Sequence, residues 1–265
     1  MTISDAAKAN HDQLFGALVS TLARTDPEFI AYFDNFAFDE VLTDAADRDD
    51  SVDLHTRLLV QLAAVLAAGG LAEFRVLAAA GLANAGVSPV ELKELVYHAV
   101  PYVGLARVFD YLHAANDILT AAGVELPLPG QATSTPDTRQ ERGRMVQERI
   151  VGAGRVTQMH TDAPQDCKHF QRYLTGNCFG DTVARDGLDL PTRELLTFAM
   201  LAALGGADPQ LRGHVTGNIN VGNTRARLLA VLAVLVPFIG YPRTLNALTA
   251  ISDICDITSS ANKRK

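Results

Sequence analysis

The sequence predicts an all-α protein made of two tandem copies of one helical unit. Three observations carry this. Hydrophobic residues fill 48% of the 265 positions, Trp is absent and aromatics reach only 6%. An Ala/Leu-rich core of that kind suits close-packed helices better than sheets, which favour β-branched and aromatic side chains. Second, VDLHTRLL, from Val52, reappears as LDLPTREL, from Leu188. An offset of 136 residues then aligns Arg57 with Arg193, Gly69-Gly70 with Gly205-Gly206, Gly81 with Gly217 and Asn84 with Asn220. The same offset aligns Gly86 with Gly222, Pro101 with Pro237, Gly104 with Gly240 and Arg107 with Arg243, without a gap. Chance likeness between helical stretches would match alanines and leucines, whereas here glycines, prolines and arginines share one register. Third, no segment alternates apolar and polar residues as a half-buried strand does.

The elements follow in order. FIAYFDNFAFDEVL, 29–42, is a helical lead-in to the first copy. Thr56 to Ala68 is an apolar helix stopped by Gly69-Gly70, and Leu71 to Ala85 is a second, closed by Gly86. Ser88-Pro89-Val90-Glu91 is a capping box with Pro at the first helical position, so a third helix starts there. Pro101 and Gly104 are expected to kink or break it, and Leu105 to Thr120 makes another. LPLPGQATSTPDTRQERG, from Leu126, is rich in Pro, Ser, Thr and Gly and reads as a linker. The expected organisation is therefore a first unit over 1–125, a linker over 126–142 and a second unit over 143–265. The second unit has its own lead-in, Phe170 to Val183. Its helix RLLAVLAVLVPFIGYP is apolar on nearly every face and needs cover from the other copy and from an oligomer interface.

Composition excludes several functions. The formal charge is −7 and the pI about 5.5, which argues against a nucleic-acid partner, since that needs a basic stripe. The one basic cluster, Lys263-Arg264-Lys265, reads as a solvated terminus. The opening MTISDAAKANHDQ lacks a basic stretch followed by an apolar run, so no secretory signal is expected. The apolar run from Leu228 to Ile239 is shorter than the roughly 20 residues of a bilayer span and contains Pro237, so no membrane partner is expected. Three cysteines without a CxxC fit a reducing cytoplasm and neither a disulfide framework nor a zinc site.

The chemistry-bearing residues gather in the second copy. Glu194 lies on its first helix and His214 on the next, and a hairpin reversed at Gly205-Gly206 brings the two together. A carboxylate on an imidazole holds the ring's tautomer for general acid/base work. The first copy has Leu58 and Ala78 at these positions, which favours a functional role over a packing role. Just upstream, Asp181, Arg185 and Asp186 fall in a turn. Arg185 is either a bidentate binder of a substrate carboxylate or a solvated loop arginine. Asn218 lies one turn beyond His214 and can reach substrate, and Tyr241 and Arg243 can close the site. Arg243 matches Arg107 and is expected to be structural. The first copy has Glu73, Arg75, His98, Tyr102, Asp110 and His113. Arg75 is placed to reach a site between the copies, whereas most of this group reads as surface ion pairs. No Ser-His-Asp pattern, phosphate loop, dinucleotide fingerprint or HExxH is present.

FGDTVARDGLDLPTRELLTFAMLAALGG, HVTGNINVGN and VPFIGYPRTLNAL together resemble the carboxymuconolactone decarboxylase family. FDNFAFDEVL, LHTRLLVQLAA and EFRVLAAAGLANAGVSPVELKELVYHAVPYVGLARVFDYLHAAND resemble the first half of its tandem members. The resemblance implies two alkylhydroperoxidase-D-like helical repeats packed as a pseudo-dimer, and a homo-oligomer, dimer or trimer, with a small-molecule substrate. It implies loss of carbon dioxide from 4-carboxymuconolactone, giving the β-ketoadipate enol-lactone, with neither metal nor organic cofactor. A histidine matching His214 would be the general acid/base, and an arginine like Arg185 would hold a carboxylate. The peroxidase branch of this superfamily carries Glu, then CxxC, then His. Here Glu194, Ala207, Gln210 and His214 stand at those positions, so the thiol nucleophile is missing. Cys178 has no resolving partner.

The expectation is thus a cofactor-independent enzyme acting on a small carboxylated lactone or related enolisable acid. The alternatives are a thiol-dependent hydroperoxide reductase, a non-catalytic oligomeric binding protein, and a biosynthetic isomerase or cyclase.

Overall fold

The structure, a computed structural model, describes residues 2–16, 20–46 and 50–262, with side chains to 255. The Lys263-Arg264-Lys265 tail lies outside them. Among the described residues every regular element is helical. The first copy runs α1 (Asp5–Phe15), α2 (Leu22–Thr25), α3 (Pro27–Asn35), a π-helical segment (Phe36–Glu40), α4 (Val41–Ala46), α5 (Leu54–Ala68), α6 (Leu71–Asn84), α7 (Pro89–Val103) and α8 (Leu105–Ala121). The second runs α9 (Arg139–Val151), α10 (Ala153–Asp162), a 3₁₀ turn (Gln165–Cys167), α11 (Lys168–Tyr173), a second π-helical segment (Leu174–Val183), α12 (Leu190–Leu204), α13 (Asp208–Asn220), α14 (Arg225–Ile239) and α15 (Tyr241–Asn262).

The punctuation works as its chemistry requires. Asp53 and Asp189, at the same place in the two copies, cap α5 and α12 by accepting from the backbone N–H three residues on. Ser88 and Glu91 form the complete capping box of α7. Gly69 and Gly205 end α5 and α12 with positive φ. One expectation changes: α7 continues through Pro101 to Val103 and stops only at Gly104, as α14 continues through Pro237. Pro101 removes one N–H from the ladder, but only Tyr102 and Val103 follow it before the helix stops.

The repeat extends further back than the aligned helices. Asn84 Nδ2 donates to the Leu14 carbonyl and Asn220 Nδ2 to the Ile150 carbonyl, each at 2.8 Å. Both bonds tie the end of the second core helix to the end of a preceding helix, so α1 and α9 are counterparts. Helix α9 begins at Arg139, inside the stretch expected as linker. It lies close against the second π-helical segment. A methyl group on Gly143 would strike the Thr175 carbonyl, and one on Gly180 would strike that of Arg139.

The copies share one core. α5 packs along α12, and the main hydrophobic cluster draws buried residues from both halves, with a smaller one between α9 and the second π-helical segment. The contacts are reciprocal. Gln61 on α5 donates to the Val234 carbonyl on α14 at 3.0 Å, while Thr197 on α12 meets His98 on α7 at 2.9 Å. Gln61 matches Thr197, and Val234 matches His98, at the 136-residue offset. This is the exchange expected of a pseudo-twofold pair. The apolar α14 is covered within the chain by α4, α5, α12 and α15. No helix among the described residues is long and apolar enough to cross a membrane.

Candidate active site

The hairpin of α12 and α13 puts Glu194 and His214 in contact. His214 Nδ1 lies 2.8 Å from Glu194 Oε2. Glu194 is fully buried, whereas the His214 side chain keeps 18% of its surface open. The bond places the proton on Nδ1, facing the carboxylate, and leaves Nε2 as the ring atom that can exchange a proton with a ligand. Glu194 Oε1 is buried and accepts no hydrogen bond among the described residues. Two side chains hold this geometry. Asn218 Nδ2 donates to the Glu194 carbonyl at 3.0 Å and to the His214 carbonyl at 2.7 Å, so it braces α12 against α13. Gly217 admits the carboxylate: a Cβ there would lie 2.7 Å from Glu194 Oε2.

The wall opposite comes from the first copy. Tyr102, on α7, presents its ring edge-on to His214 with centroids 5.6 Å apart. Its hydroxyl lies beside the Cys178 thiol and Thr197 without a well-formed hydrogen bond. Burial holds the Tyr102 pKa well above its ordinary value, so the phenol stays neutral. Burial likewise pushes the Cys178 thiol up to about 12, the opposite of what a thiolate nucleophile needs. Behind Tyr102, the fully buried His98 sets Nε2 3.1 Å from the Arg193 carbonyl oxygen and 2.9 Å from Thr197 Oγ1. Burial, then the charge of Arg193, holds its pKa well below the usual histidine value.

Of the remaining expected site residues, Asn218 lies at the pair as a brace and the others lie elsewhere. Arg185 does hold a carboxylate, but one of this chain: its Nε and Nη2 lie 2.8–3.0 Å from the oxygens of Glu94 on α7. Glu94 and Tyr102 are eight residues apart on α7, about 12 Å along the helix axis, so Arg185 and His214 sit at opposite ends of this wall. Asp181 pairs with Arg139 at 3.1 Å. Tyr241 opens α15 and is 63% exposed. Asn218 is fully buried, with its amide donors engaged on backbone carbonyls. Arg75 pairs with Asp117 at 2.9 Å on the exposed side of α6 and α8. Arg107 bonds the Ala67 carbonyl at the end of α5, a structural role.

His98 and Tyr102 correct the reading of the first copy's polar group as surface ion pairs. Both face inward, onto the second copy. The signal was present at their partner positions. The offset pairs them with Val234 and Phe238, so polar groups stand on one side of the pseudo-twofold and apolar ones on the other.

A model of the carboxymuconolactone decarboxylase family matches residues 27–117 and 168–253, one stretch in each copy. The chain belongs to the carboxymuconolactone decarboxylase family. A 4-carboxymuconolactone decarboxylase of Acinetobacter baylyi (strain ATCC 33305 / BD413 / ADP1) is 26% identical over 118 residues, which are 44% of this chain and 87% of that protein. In this tandem member, Tyr102 of one family unit meets His214 of the other.

Proposed function

We propose that the protein is a cofactor-independent carboxy-lyase acting on a small carboxylated lactone, or a related enolisable acid, through His214. The observation that carries this reading is the 2.8 Å contact of a partly open imidazole with a fully buried carboxylate. When the substrate's carboxylate leaves as CO₂, the electron pair of the broken C–C bond passes into the conjugated lactone as a dienolate. His214 Nε2, having first taken a proton from solvent while Glu194 holds the Nδ1–H, delivers it to carbon and so returns to its starting form. Glu194 holds the ring's orientation throughout. Tyr102, neutral and edge-on to the His214 ring, forms the wall beside the imidazole. The family membership and the decarboxylase relative support this chemistry. The buried, high-pKa Cys178 counts against a thiol peroxidase.

Exposed apolar side chains recur at the repeat offset: Leu105 and Phe109 on α8, Tyr241 and Leu245 on α15. Their recurrence supports a homo-oligomer.

The test is CO₂ release from 4-carboxymuconolactone and related lactones. Wild type turns over, and His214→Gln loses about 10²–10⁴-fold in kcat with an unchanged helical spectrum. Equal activity, or equal inertness, of the two proteins would sink the reading.

A further inference from the structure

Arg57 on α5 is the counterpart of Arg193 on α12. Both are buried, at 7% and 0% exposure. Arg193 is discharged: its Nη2 donates to Glu94 Oε2 at 2.9 Å and to the carbonyls of Arg185 and Asp186, and its Nε to that of Leu188. Arg57 has no side-chain hydrogen bond or ion pair among the described residues, and its Nε is buried without an acceptor. Ala230 stands where the offset places the partner of Glu94. Burial draws the Arg57 pKa down to about 10, still charged at neutral pH. An unpaired interior charge is among the least favourable arrangements a fold can hold. Arg57 opens on a cavity of about 390 Å³. Asn10, Gln13, Thr43 and Ser51 form its polar side, Leu54 and Val234 part of its apolar side, and among the described residues no carboxylate lines it.

We propose that this cavity binds a small organic monocarboxylate, whose carboxylate takes against Arg57 the place that Glu94 takes against Arg193. One guanidinium fork matches one carboxylate. A phosphate dianion would leave a charge unmet. The amides and hydroxyls suit the remaining oxygen lone pairs, and the apolar side suits a short carbon chain. The proposal concerns the copy that lacks the acid/base pair and is independent of the lyase reading.

Butyrate, butyramide and inorganic phosphate, titrated into the full chain at pH 7, test it by calorimetry and thermal melting. Butyrate is expected to bind once per chain and raise Tm, with butyramide and phosphate at least about tenfold weaker. His214→Gln binds butyrate as wild type does. Arg57→Met loses at least about tenfold in affinity and, freed of an unpaired charge, melts no lower than ligand-free wild type. Thr43→Trp, at an exposed position on the cavity, obstructs binding with Arg57 intact and covers a failure of Arg57→Met to fold. Asp47 and Asp49 lie outside the described residues, and the double variant D47N/D49N is expected to bind and melt as wild type. Butyramide binding as well as butyrate, or no binding by either, overturns the proposal. So does a matched fall in Tm for R57M and D47N/D49N, because the chain would then be discharging Arg57 itself.

Discussion

Where the second copy holds Glu194 and His214, the first holds Leu58 and Ala78, both fully buried. The helices around them are otherwise alike. α5 and α12 each span fifteen residues, as do α7 and α14, and Asp caps and glycine stops recur at matched places. The scaffold therefore forms without the polar pair. Glu194 is an addition to a helix–helix contact that an apolar side chain already satisfies, so its presence is better explained by chemistry than by packing.

Exchanging the two centres is the strongest way to break this comparison. Leu58→Glu puts a carboxylate where no imidazole waits and is expected to destabilise the chain by about 3–5 kcal/mol. Glu194→Leu makes the second copy like the first; stability should stay within about 1.5 kcal/mol of wild type while turnover is lost. Urea unfolding of both variants measures the difference, and equal costs would remove the distinction between the copies.

A smaller effect separates the matched glycines. A Cβ on Gly217 would crowd Glu194 Oε2 at 2.7 Å and Ile150 Cγ2 at 2.9 Å, whereas one on Gly81 meets only Val87, at 3.2 Å. Gly217→Ala should cost about 1–3 kcal/mol and slow turnover by displacing the carboxylate. Gly81→Ala should cost less than about 1 kcal/mol and leave turnover intact. Paired denaturation and activity measurements check this.

The smallest effect lies in pH dependence. His98 has a depressed pKa in the fold, while an unfolded histidine takes up its proton near about 6.5. Below that pH the unfolded chain binds the extra proton, so this residue's contribution to stability is present above it and is lost as pH falls. The slope it adds is at most about 1.4 kcal/mol per pH unit. His98→Gln should flatten the stability profile between pH 7 and 5. The matched apolar position, Val234, adds no such slope. An unchanged profile would show that His98 titrates freely.

The sequence carried the caps and the Glu194–His214 contact, because both follow from local spacing, whereas the helices of the second unit begin at Arg139, inside the stretch expected as linker. Ser88 to Glu91 spells its capping box, and a hairpin turned at Gly205-Gly206 returns His214 to Glu194. Tyr102, His98 and Glu94 were not assigned their places, because these depend on how α7 crosses onto α12, a contact between residues about ninety-five apart in the chain. Neither a ligand's carboxylate nor solvent takes the paired edge of Arg185, for the same reason: Glu94 arrives from the other copy. The helical lead-in from Phe170 to Val183 was legible, but not the widening of its turns over Leu174–Val183.

The crossing of α7 has a consequence for inheritance. A lesion in the codons for His98 or Tyr102 falls in the first half of the gene yet alters the surroundings of Arg193, Thr197 and His214 in the second. Neither half can drift or be deleted as if it were spare, because the first repeat supplies the wall that packs against His214 of the second.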